Sequence, residues 1–167
     1  MASENEKIHP LHESWNLWAH LPQDKDWSMN SYKFLSKINT VEDAIVRSNL
    51  LPDLFIKHCM IFIMKDGIKP VWEDNNNVKG GAFSYKVSNK NVPTIWRELT
   101  YALVGNTIST DEKFVKNING ITISPKNNFC VIKIWTKTCD CQNPQMVNSV
   151  SGLTSKGCLF KQHDCGK

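Results

Sequence analysis

At 167 residues the chain has the length of one ordinary domain with a single core. Its 41% apolar and 22% charged residues are those of a globular protein, and no apolar run reaches the ~20 residues that a membrane-spanning helix needs. A net charge of +4 suits an anionic partner but is small for a protein that holds long phosphate backbones by charge alone. Residues 1–7 are polar and lack the apolar stretch of a secretory signal, so a reducing, cytoplasmic compartment is expected. The six cysteines then read as thiols. Cys139-x-Cys141 and the pair Cys158 and Cys165 do not have zinc spacing, although His163 nearby keeps a Cys/His metal site open as the lesser alternative.

Residues 1–8 read as a disordered tail and residues 9–167 as one domain. After Pro10, Trp15 and Leu17 alternate with Asn16 and Trp18, which predicts a strand. Residues 20–27 are polar and read as a loop. A second strand is expected at 32–38. Thr40-Val41-Glu42-Asp43 has the form of a capping box and opens a helix with Val41, Ala44, Ile45 and Ser48 on one face, ended near Pro52. Residues 58–64 are an apolar strand, Lys65-Asp66-Gly67 a turn, and residues 74–81 an Asn- and Gly-rich loop. Strand character resumes at 82–87. Ile95, Trp96, Leu99 and Leu103 recur at helical spacing, with Pro93 near the start and Gly105 as the stop. Residues 121–124 and 130–135 pair around Pro125-Lys126-Asn127-Asn128. Asn143-Pro144 opens a third helix to about residue 150, and Leu159-Phe160 begin a last strand. Antiparallel strands with separated helices make an α+β domain, a sheet covered on one face and open to a ligand on the other.

Two of the six tryptophans stand outside any periodic apolar segment. Trp27 ends Asp24-Lys25-Asp26-Trp27, and Trp72 lies in Val71-Trp72-Glu73-Asp74. An aromatic on a charged loop is more often a contact residue than a core residue. Two indoles could sandwich a base. A purine methylated at N7 is cationic, and an indole face attracts a cation by roughly 0.5–2 kcal/mol beyond ordinary stacking. Glu73 could accept from N1–H and the 2-amino group of guanine, a donor pair adenine lacks. Taken alone, Glu73 reads more readily as a solvated loop carboxylate.

In order along the chain stand HPL-x3-W-x-LW (residues 9–18), the Trp27 loop, SK-x2-TVED (36–43), KDGI-x-P-x-WED (65–74), KGG (79–81), Trp96-x-Glu98 and IWT (134–136). This series resembles the eukaryotic translation initiation factor 4E family over residues 9–153. The resemblance implies a single curved eight-stranded antiparallel sheet with about three helices on its convex face and an mRNA cap slot on its concave face. It implies that Trp27 and Trp72 stack on 7-methylguanosine, that Glu73 and the Trp72 backbone N–H hold the base edge, that Trp135 meets the methyl group, and that Lys126 meets the phosphates. Without the family, Trp135 reads as a core residue of an alternating strand. The resemblance also implies translation initiation by recruiting capped mRNA, with no catalytic residue, metal or cofactor. A scaffold or repressor peptide would dock on the helical side at His9, Pro10, Val41, Ile45, Glu98, Val104 and Gly105.

The sequence departs from the family in two places. Ala82 and Val131 stand where cationic phosphate contacts are usual, and the chain ends at Lys167 where the family continues. Weaker phosphate binding with a shallower salt dependence is therefore expected, with Lys79, Lys133, Lys156 and Lys161 as unplaced replacements. Ile45 replaces a partner-binding tryptophan and Arg97 an apolar contact, which leaves a cap-binding repressor that does not recruit the scaffold as the alternative. These losses and the Asn-rich composition suggest a divergent, or viral, relative. An enzyme is disfavoured, because no cluster of carboxylates has the spacing for metal-assisted decapping.

Overall fold

The computed structural model describes residues 7–150 and 152–164. Strand β1 (Pro10–His20) defines both faces of the sheet, because successive side chains of a strand alternate. Trp15, Leu17 and Ala19 enter the main core, and Asn16, Trp18 and His20 turn to the opposite face. β1 pairs antiparallel with β2 (Tyr32–Thr40) and β3 (Met60–Lys65). β3 pairs with β5 (Ile118–Pro125), β5 with β6 (Phe129–Thr136), β6 with β4 (Gly81–Ser88), and β4 with β7 (Leu159–Gln162), all antiparallel. The single sheet has the order β2-β1-β3-β5-β6-β4-β7.

Among the described residues there are seven strands, not the eight that the resemblance implied. The residue pattern itself had marked seven strand segments, and each has its counterpart. The helices differ more. α1 (Val41–Leu50) and α3 (Val92–Val104) stand as expected. The third expected helix is only a 3-10 turn, Pro144–Met146. Asn148 explains the shortfall, because its backbone N–H donates to the Ile108 carbonyl and its amide to the Thr107 carbonyl, both at 2.8 Å. Those bonds tie the segment to a distant loop and leave no helical ladder. Two short helices were not foreseen. α2 (Asp53–His58) follows Pro52, and α4 (Glu112–Asn117) is capped by Asp111, whose carboxylate accepts from Phe114 N–H at 2.9 Å.

The capping box of α1 is complete. Thr40 Oγ1 accepts from Asp43 N–H at 3.0 Å, and Asp43 Oδ2 accepts from Thr40 N–H at 3.2 Å. The buried face of α1 is Ala44 and Ser48; Val41 and Ile45, expected beside them, are 42% and 45% exposed. α3 ends with Gly105 at φ −85°, and the left-handed residue is the following Asn106, at φ 57°. Asparagine reaches that conformation at lower cost than most side chains.

The main core lies between the sheet and the helices, around Trp15, Phe83, Ile95, Trp96 and Leu99. A smaller cluster forms the floor of the open face: Phe62, Met64, Ala82 and Trp135, with Trp18, Tyr32, Met60 and Ile68 packed against it. Gly80 and Gly81 let the chain enter this face. A Cβ on Gly80 would overlap the Thr136 carbonyl oxygen, and one on Gly81 the Lys161 carbonyl oxygen, so β4 lies close to its neighbours only because both side chains are missing.

Candidate functional site

The Trp27 loop is held together by its own acids. Asp24 accepts from Asp26 N–H at 2.9 Å, and Asp26 accepts from Ser28 N–H at 2.8 Å and from Ser28 Oγ at 2.9 Å. These bonds to Ser28, backbone first, hold the exposed Asp26 carboxyl below its ordinary range. Trp27 itself is 57% exposed. One of its faces stacks on the His20 imidazole, with ring centroids 4.0 Å apart and planes 3° from parallel. His20 is the last residue of β1 and is buried, a correction to the loop expected from residue 20 onward.

The Trp72 loop follows the turn at Gly67, whose φ of +84° favours glycine. Asp74 builds it. Its carboxylate accepts from Lys69 N–H at 2.9 Å and Asn76 N–H at 2.8 Å. Burial pushes the Asp74 carboxyl up, but the N–H groups of Asn76 and Lys69 outweigh it and the net shift is downward. Asn77, fully buried, closes the loop: its amide donates to Val71 O at 2.9 Å and Lys69 O at 3.2 Å. Its side-chain oxygen accepts from Asn119 Nδ2 at 2.9 Å. What reads as a polar loop in sequence is thus fastened to β5 by buried amides.

Glu73 differs from Asp74. It is exposed, and among the described residues it has no hydrogen bond or ion pair. Its charge still reaches the sheet: burial, and then the Glu73 carboxylate, push the Tyr32 phenol up. Tyr32 makes an edge contact with His20, at 5.2 Å between centroids, and His20 carries Trp27. The two tryptophan loops therefore flank one end of the open face.

Two clefts open there. One, of about 270 Å³, is lined by Trp27, His20, Met60, Ser124 and Lys126. The other, of about 260 Å³, is lined by Trp72, Ser84, Lys133, Trp135, Lys161 and His163. No lining residue is common to both: Trp27 belongs to the first cleft and Trp72 to the second. Trp72 is 45% exposed and Trp135 only 8%, with its indole N–H donating to Thr122 Oγ1 at 3.2 Å. A larger cleft, of about 430 Å³ beside α4, has no tryptophan in its lining.

Lys133 and Lys161 were not placed by sequence. Lys133 is two residues before Trp135 on β6, which puts both on the open face. Ala82 pairs with Trp135 on one side and with Lys161 on the other, so Lys161 supplies across the ladder a cation that position 82 lacks. Burial, then the charges of Lys126 and Lys161, hold the Lys133 ammonium below its ordinary value. Three cations thus act on one region. His163 packs on Trp135 at 4.7 Å and donates from Nδ1 to Asn77 O at 2.8 Å.

On the helical side, His9 is tied to α1: its N–H and Nδ1 contact the Glu42 carboxylate at 3.1 and 2.6 Å. The His9 bonds, side chain first, bring the Glu42 carboxyl down to about 2. Pro10 opens β1 opposite Thr40. Val41, Ile45, Glu98 and Gly105 are exposed, but Val104 is 4% exposed and packs in the core, so it offers no side chain to a partner. Arg97 is also engaged. It donates to Ser48 O at 3.2 Å and Leu51 O at 3.0 Å and pairs with Asp53 at 2.8 Å, which closes the carbonyl end of α1. The five described cysteines are unpaired, and Cys165 lies outside the described residues. No three metal-ligating side chains gather among the described residues.

The chain matches the family model described as Eukaryotic initiation factor 4E over residues 10–162. Eukaryotic translation initiation factor 4E-2 of Schizosaccharomyces pombe is 30% identical over 144 residues, covering 80% of this chain and 56% of the relative. The Eremothecium gossypii factor 4E is 29% identical over 140 residues, covering 78% and 63%, so the chain spans under two thirds of either relative. Among solved structures, C. elegans eIF4E-3 with the 4E-binding protein Mextli and cap analog has a TM-score of 0.71 at 27% identity, over 79% of this chain and 76% of that one. Ascaris suum eIF4E-3 with m7G cap has a TM-score of 0.70 at 28% identity, over 80% and 76%.

Proposed function

Because the chain belongs to the eukaryotic initiation factor 4E family, we propose that it binds the 7-methylguanosine cap of mRNA on the open face of its sheet and acts in cytoplasmic translation, without catalysis. The observation that carries this reading is the pairing on one loop of an exposed indole, Trp72, with a carboxylate, Glu73, that has no hydrogen bond or ion pair among the described residues. The solved relatives bound to an m7G cap and to a cap analog support it.

Trp27 offers its face away from His20, and Trp72 offers the other side of the sandwich. The indoles line two different clefts of the free chain, and a base held by both would bridge the two loops. Stacking contributes about 1–3 kcal/mol per base and the cationic charge about 0.5–2 more, against which the ordering of two loops counts. Glu73 reads the guanine edge with two charge-assisted bonds. Trp135 provides an apolar wall for the methyl group, and Lys126, Lys133 and Lys161 surround the place for the phosphates. The test is fluorescence titration with 7-methylguanosine triphosphate and with unmethylated guanosine triphosphate. The methylated compound is expected to bind about tenfold tighter or more, which is the worth of the cationic term at its upper range. Equal affinity would reject the reading.

The helical side keeps an apolar row, Ile45, Val46, Leu50 and Leu54, each at least 45% exposed. It suits an amphipathic partner helix. This row favours a partner of the scaffold or 4E-binding class even though Ile45 lacks an indole N–H. A pull-down with a scaffold-derived helix separates the two roles: binding supports recruitment of capped mRNA, and its absence beside intact cap binding supports the repressor.

A further inference from the structure

Trp27 reaches the sheet through His20 alone among the ring contacts of the described residues. His20 is 1% exposed and pairs in register with Tyr32 of β2 and Met60 of β3, so its backbone is flanked by a strand on both sides. Its ring has contacts on one face, with a second ring and at both nitrogens. One face lies against Trp27, nearly parallel at 4.0 Å. Tyr32 meets it edge-on at 5.2 Å and in turn packs on Phe62 of the open-face floor at 5.4 Å. Nδ1 lies 3.1 Å from Leu21 O and Nε2 lies 2.8 Å from Asp26 O. Carbonyl oxygens only accept, so both nitrogens face acceptors; the neutral ring donates to one of them at a time and the imidazolium to both. The two carbonyls belong to Leu21, the first residue after β1, and to Asp26, the residue before Trp27.

We propose that His20 is the positioning residue for Trp27: it backs the indole with its own ring and holds the 21–26 segment by donating from a ring nitrogen to its carbonyls, so that one indole face stays directed at the ligand. The inference rests on the reading of Trp27 as a stacking residue. A long loop bearing a free indole would have to be ordered at each binding event, and ordering costs affinity. A ring stacked from beneath has already lost that freedom. The bound state becomes a column of His20, Trp27, methylated base and Trp72.

The test compares the full chain with His20→Ala, His20→Phe and Trp27→Phe, titrated with 7-methylguanosine triphosphate, with indole emission recorded before ligand is added. The difference from Trp27→Phe isolates the emission of Trp27. His20→Ala is expected to weaken the analogue by about tenfold, the order of one lost stacking contact, and to shift Trp27 emission to the red as the ring gains water. His20→Phe keeps the ring, and is expected to recover affinity to within about threefold of the wild type, with emission near its value, the loop bonds being the remaining loss. Unchanged affinity in a folded His20→Ala overturns the proposal, and so does tighter binding, which would mean that His20 occupies the base's place. If His20→Ala does not fold, a folded His20→Phe that binds tenfold more weakly than wild type overturns the stack. Should the wild type fail to distinguish methylated from unmethylated nucleotide, the cap reading falls, while an unshifted Trp27 emission in His20→Ala would still overturn the positioning role on its own.

Discussion

Glu73 and Asp74 are adjacent carboxylates with different work. Asp74 is consumed by its loop, accepting from Lys69 and Asn76. Glu73 has no hydrogen bond or ion pair among the described residues, which leaves it free for the role proposed. Glu73→Gln should therefore leave thermal stability unchanged and weaken the cap analogue by about tenfold, the scale of a charge-assisted bond made neutral. Asp74→Asn should do the reverse first, lowering the melting temperature by a few degrees for about 1 kcal/mol of lost acceptor strength, with weaker binding following from the loosened loop. Titration calorimetry beside a melting curve distinguishes the two. His163 gives a pH dependence. Burial holds its imidazole below 6.5, Lys133 adds to this, and the Asn77 carbonyl opposes it. The unfolded chain then takes the proton more readily, so the contribution of His163 is complete above about pH 6.5 and is lost as the pH falls through the folded value. Melting temperature should decline between pH 7 and pH 5, and His163→Gln should flatten part of that decline.

Arg97 shows why elements are harder to read than residues. In sequence it stands as a polar change on a partner surface. In the fold it closes α1, donating to Ser48 O and Leu51 O. Its pair with Asp53 contributes less, since that carboxylate is 61% exposed and water screens it. Arg97→Met should cost about 1–2 kcal/mol, lowering the melting temperature by roughly 2–8 °C, because it strands helix-end carbonyls. Cap affinity should not change, the site being on the other face of the sheet; melting curves and the titration together check this. The α1 start was legible because Thr40 and Asp43 are local partners three residues apart. The α1 end was not, because its partner lies 46 residues away in Arg97. The same holds for residues 143–150, where the composition suggested a helix start and a long-range bond from Asn148 to Ile108 diverted the backbone. α2 and α4, each of six residues, are too short for periodicity to detect, and their signals are a proline N-cap and the single buried Phe114.

At the scale of the whole molecule, strands were legible, and so was the pairing of β5 with β6 around their turn, but the rest of the strand order was not. Alternation at Trp15 to Trp18 assigned faces correctly, and Lys133 could have been read two residues from Trp135. Nothing local told that β7 pairs with β4, the register that sets Lys161 beside Ala82. That pairing places one of the replacement lysines beside the position that lacks a cation. Lys133 feels the charges of both Lys126 and Lys161, and Lys133 and Lys161 line one cleft with Trp72 and Trp135. Like charges brought together repel, which costs the free protein some stability, and a bound triphosphate would relieve it. Two consequences follow for binding. Lys133→Ala and Lys161→Ala should each weaken 7-methylguanosine triphosphate by about fivefold at low salt while leaving 7-methylguanosine, which has no phosphate, within error of wild type. The loss should shrink as salt rises from 0.05 to 0.5 M, because partly exposed charges are screened over about 10 Å at 0.1 M. Equal losses for nucleoside and triphosphate would show that these lysines support Trp135 and the cleft wall instead of the ligand. A net charge of +4 is thus compatible with phosphate binding because it is the placement of three lysines on one face, not their number in the chain, that sets the field a cap would meet.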